Sequence, residues 1–189
     1  VSYYEDGKIR AVTPKNGAKF PVKKRIVQDM STTFYPKDFV VPFIDTVHDR
    51  AIVEVMRGCI RGCRFCQAGF LYRPLREKEP EVLCSQGKSL CETTGYEEIS
   101  LSSLSTSDYS KIEPMLDDLI DYTVDNHINL SLPSLRIDNF SEELLAKVAR
   151  VRKSGLTFAP EAGTQRLRDV INKNITEEDI FSSCKIAFE

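Results

Sequence analysis

The sequence predicts an α/β fold built from parallel β/α units. From residue 50 onward, short apolar strand-like segments alternate with amphipathic helical segments at a period of roughly 25 to 35 residues. The repeated order of strand, loop and helix is typical of parallel strands joined by right-handed crossovers. A doubly wound sheet and a partial β/α barrel both satisfy this pattern. In either architecture, ligands bind at the carboxyl ends of the strands.

The elements of the first two units follow in order along the chain. Residues 51–56 alternate in the manner of a mostly buried strand. A cysteine-rich loop comes next, then a helix over about residues 81–93 and a second strand at residues 99–101. Ser110 and Glu113 are spaced as a capping box, in which each side chain accepts a hydrogen bond from the backbone N–H of the other residue. The apolar face of the helix that follows comprises Ile112, Met115, Leu116, Leu119 and Ile120.

Further strands and helices continue the pattern. Residues 128–132 predict a third strand, residues 141–155 a helix and residues 156–159 a fourth strand. Two more helices are predicted, one over residues 164–171 and one that begins at Thr176. The predicted buried face of the last helix comprises Ile180, Phe181, Cys184, Ala187 and Phe188.

Length and composition describe an ordinary globular chain. The 189 residues are 41% hydrophobic and 29% charged, with a net charge of −2, so bulk charge gives no argument for nucleic acid. No apolar run approaches the ~20 residues of a bilayer span, and no signal peptide is apparent, so we expect a cytoplasmic protein without a membrane partner. Residues 1–49 are expected to be an extended segment or a linker from an upstream domain, and residues 50–189 the core. Because the chain starts at Val1 and stops inside a helical pattern, we expect it to be a piece of a longer protein.

A loop directly after the first strand carries three of the six cysteines: Cys59, Cys63 and Cys66. Glycines at positions 58 and 62 permit the left-handed backbone that such a tight curl requires. Residues 57–76 contain five arginines and no acid, a positive field that favours thiolates and offsets the charge of a metal cluster. An iron–sulfur centre with three protein ligands and one open iron position is the favoured interpretation.

Other interpretations of the cysteines stay open. A structural zinc site normally has four ligands that arrive as two pairs, and no second pair is present here, although a distant cysteine could complete one. A non-catalytic module, holding either structural zinc or an electron-transfer cluster, is therefore the alternative. The cysteines outside the loop are expected to pack in the core: Cys84, Cys91 and Cys184.

The spacing Cys59-x3-Cys63-x-Phe65-Cys66 after a first strand resembles the defining motif of the radical S-adenosylmethionine (SAM) superfamily. Downstream segments resemble the radical SAM proteins that carry an upstream cobalamin-binding domain: residues 66–76, 101–105, 133–136 and 159–164. More distantly, the pattern is similar to the methylthiotransferases that modify tRNA or a ribosomal protein. The resemblance covers about residues 45 to 189.

The resemblance implies a [4Fe–4S] cluster bound by the three loop cysteines, with the fourth iron chelated by the amino and carboxylate groups of SAM. In the family, the reduced cluster cleaves SAM to methionine and a 5′-deoxyadenosyl radical, which abstracts hydrogen from a substrate. A reductant such as flavodoxin or ferredoxin is the implied partner, and cobalamin is a further cofactor if an upstream domain supplies it. The implied fold is a (β/α)6 barrel, of which this chain would carry a part without the C-terminal strands. Phe65 would lie near the adenine.

The same resemblance implies further SAM contacts at the carboxyl ends of the strands. Ser103 and Ser105 stand where many members have a Gly-Gly-Glu-like motif that binds the SAM amino group. Ser134 and Arg136 end the third strand, where members of the family contact the ribose or the carboxylate. Glu161 follows the fourth strand. The alternative roles are helix capping for the serines and a surface ion pair for Arg136 or Glu161.

An RNA-modifying enzyme similar to the methylthiotransferases is a further hypothesis. The loop arginines could bind a phosphate backbone, with aromatic residues interleaved between them. Support for an anionic cluster and SAM explains the nearest arginines more simply, whereas Arg73 and Arg76 are open to an RNA role.

Overall fold

The computed structural model describes residues 1–139, 143–144, 146–147 and 157–188. Its strands, in chain order, are β1 (Ser2–Tyr3), β2 (Ile9–Ala11), β3 (Ala51–Glu54), β4 (Met56–Arg57), β5 (Arg76–Glu77), β6 (Glu98–Ser102) and β7 (Asn129–Ser131). Its longer helical elements are α1 (Ala68–Leu71), α2 (Pro80–Thr94), α3 (Ile112–Asp125), α4 (Gln165–Val170) and α5 (Glu177–Phe188). Short 3₁₀ turns lie at Thr106–Asp108 and Ile137–Asn139.

A three-stranded parallel sheet, in the order β3-β6-β7, forms the centre of the fold. Ile99 of β6 lies opposite Ala51 of β3 on one side and opposite Leu130 of β7 on the other. Helix α2 connects β3 to β6, and α3 connects β6 to β7, which confirms the predicted parallel β/α order. The described strands do not close on themselves, as is expected of part of a β/α barrel.

Apolar side chains of α2 and α3 pack against the sheet to form the core. The whole predicted face of α3 except Ile112 is buried, with Met115, Leu116, Leu119 and Ile120 at most 1% exposed. Gly87 lets α2 approach the sheet closely, since a Cβ there would lie 3.3 Å from Ile99 Cδ1. Cys84 and Cys91 are buried in this core, as predicted.

The predicted capping box at the start of α3 is wrong. The helix begins at Ile112, and no side chain caps it. Ser110 instead donates its hydroxyl and its backbone N–H to the carboxylate of Glu77, the N–H at 2.9 Å from Oε1. Strand β5 brings this distant acid to Ser110, so the hydroxyl bonds across the fold rather than to its own helix.

The C-terminal part of the pattern holds only partly. Residue 156 lies outside the described residues, and residues 157–159 do not form the predicted fourth strand. Most of the predicted helix over 141–155 also lies outside the described residues; of it, 143–144 and 146–147 are helical. Helix α4 starts after Thr164, whose side chain accepts a hydrogen bond from the Leu167 N–H, so the helix predicted over 164–171 is confirmed.

Helix α5 begins as predicted, but its buried face differs. Thr176 and Asp179 cap each other, through backbone N–H to side-chain bonds of 2.8 and 3.1 Å. The predicted core residues Phe181 and Phe188 are 68% and 91% exposed. The helix instead turns Ser183 inward, where its hydroxyl donates to the carbonyl of Ile137 at 3.1 Å.

Polar bonds and the packing of Tyr35 join the N-terminal 50 residues to the core. Met30 is the one buried side chain in this segment, and β1 and β2 form an antiparallel hairpin. The Tyr35 hydroxyl donates to the carbonyl of Ile52 at 2.6 Å, and the carbonyl of Lys37 accepts from Thr93 at 3.0 Å. Across the described ranges, no helix combines the length and apolarity needed to cross a membrane.

The hydroxyl of Tyr109 donates to the carbonyl of Lys78 at 2.7 Å inside the core. Because Tyr109→Phe would leave that carbonyl without a partner, we expect it to lower the free energy of unfolding by about 1–2 kcal/mol. Urea denaturation measures the loss. Tyr122→Phe is the matched control, since its hydroxyl makes no hydrogen bond among the described residues. Equal losses in the two variants would contradict the prediction.

Candidate functional site

The cysteine loop leaves the sheet just after β3 and is closed at its base by a short antiparallel ladder. Arg57 of β4 pairs with Arg76 of β5, which draws the two ends of the loop together. Gly58 sits at this crossing with φ of 104°, and a Cβ there would lie 2.8 Å from the carbonyl oxygen of Tyr72. Only glycine combines this backbone conformation with so close an approach.

The three loop cysteines are free thiols with different exposure. Cys63 is 8% exposed, whereas Cys59 and Cys66 are half-buried. The Arg61 N–H donates to Cys59 Sγ at 3.4 Å, and the Cys66 N–H donates to the Cys63 carbonyl at 3.0 Å. Thiolates are the donors that iron–sulfur clusters and zinc prefer. The loop therefore fits such a centre in donor type, although no three Cys, His, Asp or Glu side chains of the described residues converge closely enough to hold a metal ion.

A network of ion pairs joins the loop to the turns that follow β6 and β7. Arg61 donates to both carboxylate oxygens of Asp108, at 2.8 Å for Nε, and to Asp138 at 2.9 Å. Arg136 in turn donates to Asp138 at 2.9 and 3.1 Å. Burial would raise the pKa of Asp108, but hydrogen bonds from Arg61 and Ser105 outweigh burial and hold that pKa below its usual value. The network fixes the middle of the loop to the carboxyl edge of the sheet.

The last residue of α4 and the turn that follows it, residues 170–173, also contact this loop. The side-chain amide of Asn172 donates to the carbonyl of Gly62 at 2.8 Å. The Arg64 N–H donates to the carbonyl of Ile171 at 2.9 Å. These bonds act on the residues directly before and after Cys63.

Lys173 brings three of the predicted SAM contacts together. Its ammonium lies 3.3 Å from Glu161 Oε1 and 5.8 Å from the centroid of the Phe65 ring. Its carbonyl accepts from Arg136 at 2.8 Å. Lys173 and Arg136 are both 9% exposed, whereas Phe65 is 54% exposed. The alternative expectation of a surface ion pair fits Glu161, which is exposed and pairs with the nearly buried Lys173, whereas Arg136 pairs with Asp138 in a nearly buried position.

The predicted serines shape the turn after β6. Ser103 shares a 2.8 Å hydrogen bond with the Thr106 hydroxyl and accepts from the Ser105 N–H at 3.2 Å. Ser105 is 2% exposed and donates to Asp108 at 2.7 Å. Ser134 is exposed with φ of 62°, and its carbonyl accepts from the Thr106 N–H at 3.2 Å. These bonds gather the three serines at one edge of the sheet.

All five loop arginines already have partners within the protein. Arg57 forms an ion pair with Glu54, and Arg61 forms ion pairs with Asp108 and Asp138, so acids compensate the charges of both arginines. Arg73 donates to the carbonyl of Gly69 at 2.7 Å, and Arg76 to that of Pro74 at 3.0 Å. The positive field that the sequence suggests is therefore weaker than a count of arginines implies.

A groove of about 270 Å³ opens beside the loop at the carboxyl ends of β3 and β6. Its lining residues are Glu54, Met56, Arg57, Gly58, Tyr72, Ser102, Ser103 and Leu104. A larger cavity of about 450 Å³ lies between the N-terminal segment and α2, among Tyr35, Lys37 and Glu81. The groove is the stronger candidate for a ligand-binding site, because it borders both the cysteine loop and the predicted contact Ser103.

The sequence did not indicate Asp108, Asp138, Asn172 or Lys173 as parts of the site. The two aspartates follow strands β6 and β7. Acids just past the strand ends could have been predicted to pair with a loop arginine, because the carboxyl ends of parallel strands meet at one edge of the sheet. Asn172 lies 110 residues from its partner Gly62. No local pattern predicts a contact at that separation.

Residues 53–189, which include the cysteine loop, match the family model of the Radical SAM superfamily. An uncharacterized protein of Methanocaldococcus jannaschii is 30% identical over 174 residues, which cover 87% of this chain and 37% of that protein. A putative methylthiotransferase of the same organism is 24% identical over 71% of the chain and 31% of its own length. A tRNA-2-methylthio-N(6)-dimethylallyladenosine synthase of Clostridium novyi is 26% identical over 72% of the chain and 31% of its own length. The chain spans about a third of the length of these curated relatives.

Proposed function

The chain belongs to the radical SAM superfamily, and on that basis we propose that it is an enzyme whose Cys59, Cys63 and Cys66 hold a [4Fe–4S] cluster that binds SAM. The observation that carries the proposal is the presence of three free cysteines in one loop of the matched region, at the carboxyl end of β3. When bound and reduced, the cluster would supply the electron for cleavage of SAM to methionine and a 5′-deoxyadenosyl radical.

The residues of the chain itself hold the loop and supply polar groups beside it. The Arg61 N–H donates to Cys59 Sγ, and the Arg61 ion pairs fix the loop to the sheet. Lys173 adds a nearly buried cation beside Phe65, which suits the carboxylate of an amino-acid ligand.

The proposed SAM contacts divide by exposure. Phe65, Ser103, Ser134 and Glu161 keep accessible surface, so we propose that they contact SAM directly. Ser105 and Arg136 are nearly buried and already bonded to aspartates, so we propose that they shape the site around the ligand.

Electron paramagnetic resonance (EPR) tests the proposed function. We expect that protein reconstituted anaerobically with iron and sulfide and then reduced gives a [4Fe–4S] signal that changes when SAM is added. Dithionite serves as the first reductant, and flavodoxin or ferredoxin as the proposed physiological ones. Cys63→Ala should lose the signal, whereas Cys184→Ala, which alters a half-buried cysteine outside the loop, should keep it. One zinc per chain with no iron would contradict the proposal, and a signal indifferent to SAM would favour an electron carrier.

A methylthiotransferase-like enzyme that modifies RNA is the second candidate. The names of two relatives, at 24% and 26% identity, favour it. Arg73 and Arg76 donate to carbonyls of their own loop and pair with no acid among the described residues, so both keep a positive charge that attracts phosphates. Binding of tRNA that weakens steeply with salt would support this candidate, and no binding, or binding indifferent to salt, would count against it. Cobalamin stays a prediction from the sequence.

A further inference from the structure

The cysteine loop receives main-chain and side-chain bonds from a turn more than a hundred residues away. Besides the Asn172 to Gly62 and Arg64 to Ile171 bonds, the Arg64 guanidinium donates to the carbonyl of Val170, 106 residues along the chain. The turn therefore contacts the loop on both sides of Cys63.

The contact is tight on the loop side. A Cβ at Gly62 would lie 3.1 Å from the Asn172 side-chain nitrogen, so a larger residue at position 62 would press on this bond. Asn172 itself has φ of 55°, a left-handed conformation that asparagine adopts more readily than most residues.

The turn is also held firmly by its own helix. The Asn172 N–H donates to the carbonyl of Asp169 at 3.0 Å, and the Lys173 N–H donates to that of Arg168 at 2.9 Å. The Arg168 side chain is nearly buried and donates to the carbonyl of Ile175 at 2.8 Å. Because these bonds fix the turn to α4, the turn can hold the cysteine loop in one geometry and does not move with it.

We propose that residues 170–173 are a positioning turn for the cysteine loop, and that Asn172 is the residue that fixes the main chain beside Cys63. By binding the Gly62 carbonyl and the Arg64 N–H, the turn constrains the backbone that sets the direction of the Cys63 thiol. Its consequence for a cluster rests on the proposed function, whereas the constraint on the loop does not. Ligands held in place before a metal binds release it more slowly than ligands that must first be ordered.

The substitution Asn172→Asp tests the turn with little change of shape. It replaces an NH₂ donor with an oxygen that would face the Gly62 carbonyl at the former bond distance, and aspartate tolerates the same left-handed backbone. Asn174→Asp is the matched control, because Asn174 also has φ of 55° but is exposed and makes no bond to the loop among the described residues.

The first measurement is hydrogen exchange at the Arg64 amide in the metal-free protein. We expect exchange to be about tenfold faster in Asn172→Asp and unchanged in Asn174→Asp, since the loss of one partly buried hydrogen bond has about this effect on local opening. Unchanged exchange in Asn172→Asp would overturn the proposal.

The second measurement is the rate at which reconstituted protein loses iron to a chelator. We expect faster loss in Asn172→Asp than in wild type or Asn174→Asp. Faster exchange with an unchanged rate of iron loss would overturn the positioning role. A wild type that takes up no cluster would contradict the proposed function instead, while the exchange result would still support or overturn the turn as the element that holds the loop.

Discussion

Asp108→Asn is expected to lower the free energy of unfolding by about 3 kcal/mol, near the lower end of the range for breaking a buried ion pair from one side. The Asp108 side chain is 1% exposed, and it accepts from Arg61 and Ser105. The loss falls at the lower end because Arg61 keeps Asp138 as a second partner. Chemical denaturation measures it. Asp118→Asn is the control, since Asp118 is 56% exposed and pairs with Lys88 at 3.6 Å, so its loss should be close to zero.

The contribution of Asp108 to the free energy of unfolding is expected to depend on pH. The folded-state pKa of Asp108 is lowered, because hydrogen bonds from Arg61 and Ser105 outweigh the opposing effect of burial. Its carboxylate therefore stabilises the fold above the unfolded-state pKa of about 3.9, and this contribution is lost as the pH falls through the folded-state pKa. The stability difference between wild type and Asp108→Asn should shrink below about pH 4. A difference that stays constant with pH would contradict the charged network.

Gly58→Ala is expected to disrupt the base of the cysteine loop. The backbone conformation alone, with φ of 104°, should cost about 1–3 kcal/mol in a residue with a side chain. The new Cβ would also lie 2.8 Å from the Tyr72 carbonyl and 3.0 Å from that of Pro74, so β4 and β5 would have to separate. Lower stability and lower iron content after reconstitution are the expected results.

Gly95→Ala separates the loss of stability caused by the backbone conformation from the loss caused by the steric clash of the new Cβ. Gly95 has φ of 75° at the end of α2, but a Cβ there would meet nothing within 4 Å. It should therefore show the conformational loss alone, with iron content unchanged. Equal losses of stability in Gly58→Ala and Gly95→Ala would mean that β4 and β5 separate at little cost, and would contradict the prediction that close packing at Gly58 holds the base of the loop.

The parts of the fold that depend on local periodicity could be predicted from the sequence. The alternation in residues 51–56 arises from neighbours two residues apart and the face of α3 from neighbours three or four residues apart, so the sequence pattern reports both directly. The burial of Cys84 and Cys91 follows from the same spacing on α2. The cysteine loop was recognisable because its three cysteines are close in sequence.

The contacts that organise the site could not be predicted in this way. Ser110 bonds to Glu77 because the β4–β5 ladder brings the acid across the fold, and a local capping rule does not detect that competitor. The bond from Asn172 to Gly62 likewise joins segments that only the folded chain brings together. The loop arginines suggested a positive field, and only the structure shows the acids that pair with Arg57 and Arg61.

The buried thiols of α2 give the molecule a chemical contrast that experiments can use. Burial raises the pKa of Cys84 to about 12, with a further increase from the nearby Asp118, and burial raises that of Cys91 to about 11. At neutral pH both are almost entirely protonated, and a protonated thiol reacts poorly with alkylating agents. In a Cys184→Ala background, a maleimide dye would therefore attach to the accessible cysteines of the loop and leave the core intact. A fluorescent reporter could thus be placed at the candidate site without removing the two cysteines that support the sheet.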